Sequence, residues 1–72
     1  MTNIYIVEQL FEDTRGYPTS EALRAFSVLA RAQEFCRRRA NVLAWKEHDS
    51  HGRSWESLNG DGKYVIVEIG LE

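Results

Sequence analysis

One segment limits what this chain can become. Phe26 to Ala40 is the single stretch with a clear helical pattern, and everything after it reads as strand and turn. A chain with one helix and several strands has to lay that helix on a sheet, because neither element can bury its apolar side alone. With 72 residues there is room for one domain, residues 1–72. The expected class is therefore α+β: an antiparallel-rich sheet of four or five strands with one main helix packed on one face.

The helix itself has two readings. In the shorter one Ser27 is the N-cap, its hydroxyl accepting an amide hydrogen of the first turn, and Val28 is the first helical residue. Leu29, Ala32, Cys36 and Ala40 then form the inner face, flanked by Val28 and Phe35, while Arg31, Glu34 and Arg38 face water. Glu34 and Arg38 stand at the favourable i, i+4 spacing. Arg37, Arg38 and Arg39 oppose the negative end of the helix dipole, and Asn41 supplies a residue that tolerates the left-handed exit. In the longer reading the helix starts after Thr19, with Ala22, Phe26, Leu29, Gln33, Cys36 and Ala40 as its stripe. Capping does not separate the two, since Thr19 caps as well as Ser27 does. Length does: the long helix would span roughly 30 Å against strands of about 17–20 Å. The shorter helix is favoured, with a strand near Glu21–Phe26.

The remaining strands follow from period two. Asn3–Phe11 places Ile4 and Ile6 on one face and Tyr5 and Val7 on the other, so both faces are apolar and the strand is central or covered twice. Glu12 to Pro18 is a polar loop whose acids, with Glu8, read as solvated. Val42–His48 and Arg53–Leu58 flank a turn at Ser50-His51-Gly52. Asn59-Gly60-Asp61-Gly62 is the strongest turn signal in the chain. Lys63–Leu71 is the clearest strand, with Val65, Val67, Ile69 and Leu71 on one face and Tyr64, Ile66 and Glu68 on the other.

Composition excludes several classes. The formal net charge of -2 gives no general attraction to nucleic acid or anionic membrane. A lone cysteine, Cys36, forms no internal disulfide and fits a reducing compartment. No basic start followed by an apolar run marks a signal peptide, and no uncharged apolar run is long enough for a membrane span, so the expected location is cytoplasmic. A domain this small has a thin core, and without a disulfide or metal it gains most from oligomerising.

Catalytic chemistry is not expected. His48 and His51 sit three apart near Asp49, with Cys36 elsewhere; one pair in a turn is short of the three or four converging ligands a zinc site needs. Cys36, on the inner helix face, reads as a small buried apolar residue rather than a nucleophile. No phosphate loop, nucleophile elbow or dinucleotide fingerprint is present. No catalytic, cofactor-binding or metal-binding residue is assigned, and the chain is not expected to be an enzyme.

Tyr5-Ile6-Val7-Glu8, the run from Phe26-Ser27 through Ala32-Gln33-Glu34-Phe35-Cys36, and the ending Tyr64-Val65-Ile66-Val67-Glu68 together resemble small uncharacterised proteins of bacteriophages and their bacterial hosts. That resemblance spans nearly the whole chain. It implies a strand and hairpin, a second strand ending in an aromatic-Ser step, a helix, a tryptophan-containing hairpin and a terminal strand. Ala22-Leu23-Arg24-Ala25 departs from it, being less β-like than such a second strand. It implies no activity and no catalytic residue.

Two surfaces invite partners. Arg31 and Arg38 lie two turns apart on one side of the helix, and Arg24 would extend the row if the helix were long. Such a row suits phosphates or an acidic protein surface. The second surface is the sheet face away from the helix. If Val65, Val67 and Ile69 point to the helix, Tyr64, Ile66 and one face of the first strand point away, joined by Trp45 or Trp55. An antiparallel sheet usually keeps its outer face polar, so an apolar one marks an interface or a second cover. The expected interaction residues are Tyr5, Trp45, Trp55, Tyr64 and Ile66, with Arg31 and Arg38. The expected function is a non-enzymatic interaction module that self-associates as a homodimer or binds a host protein in a phage or mobile-element setting. Nucleic-acid binding through the arginine-rich helix is the alternative.

Overall fold

The computed structural model describes residues 2–50 and 52–71, without the side chain of Leu71. The elements are β1 (Thr2–Glu12), β2 (Pro18–Phe26), α1 (Leu29–Ala40), β3 (Trp45–His48), β4 (Ser54–Ser57) and β5 (Lys63–Leu71). They form a five-stranded sheet in the order β2-β1-β5-β4-β3, with every neighbouring pair antiparallel and α1 against one face. The α+β class holds, and the first and last strands pair at its centre.

The longer helix is ruled out. Residues Pro18–Phe26 pair with β1 from Glu12↔Pro18 to Tyr5↔Phe26. Ladder hydrogen bonds and side-chain packing override the weak strand propensity of Ala22 and Ala25, because that preference depends on context. The pairing passes from Val7↔Arg24 to Glu8↔Ala22, so Leu23 is an extra residue in a bulge, half-buried against the core. The hairpin turn is held by Asp13, whose carboxylate accepts the backbone N–H groups of Arg15 (2.8 Å) and Tyr17 (3.0 Å). Those bonds, led by the one from Tyr17, lower the Asp13 pKa. Asp13 is thus a turn-former rather than merely solvated.

Helix α1 starts one residue later than expected. Val28, not Ser27, is the N-cap, and no side chain caps the first turn. Val28 is 48% exposed, so it does not flank the inner face as anticipated. That face is otherwise as read: Ala32, Cys36 and Ala40 are buried, with Leu29 and Phe35 packed beside them. Phe26 and Phe35 meet in a tilted contact, 5.5 Å between ring centroids, tying the end of β2 to the helix. The helix leaves through Asn41 in the left-handed conformation at φ 56°, its N–H donating to the Arg37 carbonyl at 2.9 Å.

The β4–β5 turn then closes over that exit. Asp61 donates its N–H to the Ala40 carbonyl at 2.6 Å, and Asn59 Oδ1 accepts the N–H of Leu43 (2.7 Å) and Ala44 (3.3 Å). Residues 42–44 are consequently a link rather than the start of a strand, and β3 begins only at Trp45. Val42 is buried within that link.

The sheet's two faces are the reverse of the expectation. Val7, Trp55, Tyr64 and Ile66 are buried with Ala32, Cys36 and Ala40 in one cluster, and Tyr5 packs against it. The pairs Val7↔Ile66, Gln9↔Tyr64 and Trp55↔Ile66 put these residues on the helix side. Val65, Val67 and Ile69 therefore look away from the helix. Alternation separates two faces but does not say which one the helix chooses.

Candidate interaction surface

The helix side carries a polar roof where the helix does not reach. The Tyr5 hydroxyl donates to Glu68 Oε2 at 2.9 Å, and Trp55 Nε1 donates to Glu47 Oε1 at 3.2 Å. Arg53 joins the two carboxylates, 3.5 Å from Glu47 and 3.7 Å from Glu68, with its guanidinium 5.0 Å from the Trp55 ring. Tyr5 and Trp55 meet at 5.9 Å. The Glu68 hydrogen bond, then burial, raises the Tyr5 pKa, while Glu47 raises that of Arg53. Each carboxylate has an aromatic donor and a share of Arg53, so the roof seals the edge of the core while keeping one net negative charge. Tyr5, Trp55, Tyr64 and Ile66 are thus core and roof residues, not an outer face. Trp45 is half-buried against the same core on the β3 edge.

The arginines are similarly engaged. Glu34 accepts from Arg37 through both of its oxygens and from Arg38 Nε at 2.9 Å. Arg37, then Arg38, pull the Glu34 carboxyl down to about 2. Arg39 lies against Phe35 at 6.0 Å. Arg24 belongs to β2, over Phe26 at 5.6 Å, and cannot extend a helical row. Arg31 is exposed. Because the Glu34 pKa falls on folding, the pairs stabilise the helix fully above about pH 4.5, and that contribution is lost as pH falls towards about 2. Glu34→Gln is expected to flatten the acid limb of a far-UV circular dichroism titration in that window. An unchanged acid limb would mean that the pairs do not form in solution.

Among the described residues the chemistry-bearing side chains do not converge. Cys36 is fully buried, and burial pushes its thiol up to about 11, so it is protonated and inert at neutral pH. His48 Nε2 lies 3.0 Å from Glu56 Oε1 across the β3–β4 pair. His51 and the Ser50–Gly52 turn around it lie partly outside the described residues. Among the described residues no three His, Cys, Asp or Glu side chains come together as a cation site. No described helix is long and apolar enough to cross a membrane.

What remains is the open sheet face. The register puts Ile4, Ile6, Glu8 and Leu10 of β1 there, beside Lys63, Val65, Val67 and Ile69 of β5. Ala22 and Ala25 of β2 flank them on one side, Ser54 and Glu56 of β4 on the other. The centre is apolar across three strands, and Ile69 is 38% exposed. Lys46 and His48 complete the polar rim. An open hollow of about 550 Å³ lies at the hairpin end of the sheet, lined by Leu10, Phe11, Glu12, Pro18, Thr19, Ser20 and Lys63, so it takes residues of both faces. None of these face residues is among the interaction residues that the sequence suggests, and His48 enters there only as a metal-ligand candidate. The signal was the same alternation, taken in the opposite sense.

No protein-family model, no curated protein and no solved structure matches this chain.

Proposed function

We propose that this chain is a non-catalytic protein-interaction module that works through the sheet face opposite the helix. One observation carries the reading: Ile4, Ile6, Val65, Val67 and Ile69 form a contiguous apolar patch on a face that α1 leaves bare. Monomeric soluble domains seldom leave such a patch open, because its burial against a partner is favourable at roughly 25 cal/mol per Å². A cysteine left free rather than bridged, Cys36, suits a reducing, cytoplasmic setting. The resemblance to small phage and bacterial proteins favours an accessory role, in which a small domain acts by occupying another protein's surface. Nucleic-acid binding has less support, since Glu34 already holds Arg37 and Arg38.

The test compares tagged baits in a lysate of the cells that make the protein. Whatever the wild-type chain retains is expected to be lost with Val67→Glu and kept with Arg31→Ala. Loss with Arg31→Ala and retention with Val67→Glu would reverse the assignment.

A further inference from the structure

We infer that the flank of α1 facing β2 is a second docking surface, and that its occupant is an acidic protein segment whose carboxylates engage Arg24 and Arg39. The site lies on the helix side of the sheet. It goes beyond the open face and does not rest on the reading of that face.

Both elements build the flank. Phe26 and Phe35 meet at 5.5 Å, the Arg24 guanidinium lies 5.6 Å from the Phe26 ring, and that of Arg39 lies 6.0 Å from the Phe35 ring. Two half-buried rings thus carry one exposed arginine each. The bulge in β2 makes this arrangement. Ala22 pairs with Glu8 on the open side, and plain alternation from there would put Arg24 and Phe26 on that side too. The extra residue, Leu23, turns both towards the helix instead, as bulges do when they re-aim a side chain.

Neither arginine is neutralised. Among the described residues Arg24 and Arg39 form no ion pair. Glu34, the sole acid on α1, is taken by Arg37 and Arg38. Glu21, on β2 three residues before Arg24, pairs with neither. A guanidinium resting on an aromatic ring is held in place, yet its N–H donors lie in its own plane and stay free. That fork matches a carboxylate through two parallel hydrogen bonds.

Charge selects the class of partner. Arg24, Arg31, Arg37, Arg38 and Arg39 against Glu34 give α1 and the adjoining end of β2 four net positive charges, while the whole chain carries -2. The remainder is therefore strongly acidic, and a long nucleic-acid strand would run off the flank onto like charge. Bases would also lack a bare ring to stack on, since both phenylalanines are half-buried beneath arginines. A short acidic stretch of protein meets neither obstacle.

An NMR titration of the isotope-labelled chain with a capped octapeptide of alternating Glu and Gly tests this. The peptide is expected to bind with a Kd of about 100–500 μM at low salt, shifting the Arg24 and Arg39 Nε–H signals most. Binding is expected to weaken at least about tenfold between about 20 and 200 mM salt. Arg24→Gln and Arg39→Gln are each expected to weaken it at least about fivefold. Arg31→Gln, the same loss of charge about 12 Å along the helix from Arg39, is expected to cost less than about twofold. Should a Gln variant fail to fold, Arg24→Lys and Arg39→Lys keep charge and stem but lose the fork, and are each expected to cost about threefold. Val67→Glu is expected to leave peptide binding unchanged, so this site and the open face fail separately. No binding up to about 2 mM peptide overturns the inference, as do equal losses at all three arginines or tighter binding of an oligothymidylate of the same length.

Discussion

Ile66→Ala is expected to remove a large part of the domain's stability, whereas Val67→Ala, one residue along, is expected to remove little. Ile66 is wholly buried beneath α1 beside Val7 and Trp55, while Val67 lies on the bare face. Truncating a buried isoleucine costs about 2–5 kcal/mol, from lost transfer energy and the cavity left behind. A domain of 72 residues holds only about 4–11 kcal/mol in all. The Ile66 variant should therefore unfold at a much lower urea midpoint with a similar slope. Val67→Ala should cost under about 1 kcal/mol, mainly strand preference, when measured at concentrations where the chain is monomeric. The reverse ranking would mean that the helix sits on the other face.

Gly60→Ala is the second large effect. Gly60 has φ of 101°, and a Cβ there would stand 2.7 Å from the Ala40 carbonyl oxygen and 2.8 Å from Val42 Cγ2. Both neighbours are fixed, one by the helix end and one by burial in the core. The added methyl therefore meets conformational strain and a steric clash together, about 3 kcal/mol or more. Gly16 separates the two terms: its φ is 82°, but nothing lies within 4 Å of its would-be Cβ. Gly16→Ala should then show the strain alone, about 1–2 kcal/mol. Thermal melts of both variants check the difference, and equal losses would show that the β4–β5 turn does not press on the helix exit.

The elements of this fold were readable because their periods are clear. Leu29, Ala32, Cys36 and Ala40 repeat at helical spacing, and Tyr64 to Leu71 is a run rich in β-branched residues directly after the Asn59–Gly62 turn signal. The strand at Pro18–Phe26 was settled by length, not propensity, since Ala22-Leu23-Arg24-Ala25 would serve a helix equally well. Its bulge was invisible: only the pairing with β1 shows that Leu23 is the residue left over.

The candidate surface was legible in kind but not in residues. Both faces of β1 and β5 are apolar, so the sequence offered a covered face and a bare apolar face without saying which was which. Placing Val65, Val67 and Ile69 under the helix left Tyr64 and Ile66 looking outward, on the side of Glu68. In the fold its charge is met by the Tyr5 hydroxyl and Arg53, contacts from residues far away in the chain. Long-range partners of this kind are what a local pattern cannot carry. The arginines were likewise readable by position, whereas the closure of Glu34 on both Arg37 and Arg38 needed the helix to be seen.

The pairing of β1 with β5 also sets the order in which the molecule can assemble. β1–β2 and β3–β4 are local hairpins that need only nearby residues, but the strand joining them spans residues 63–71. Until that segment has left the ribosome, β1 lacks its second neighbour and the inner wall of the core, Tyr64 and Ile66, is missing. About half of the sheet's pairing therefore arrives in one late step that closes a loop of some sixty residues, which favours folding in milliseconds to seconds rather than microseconds. A nascent chain stalled before residue 63 should stay open to proteases, and release of the final strand should protect the whole domain at once.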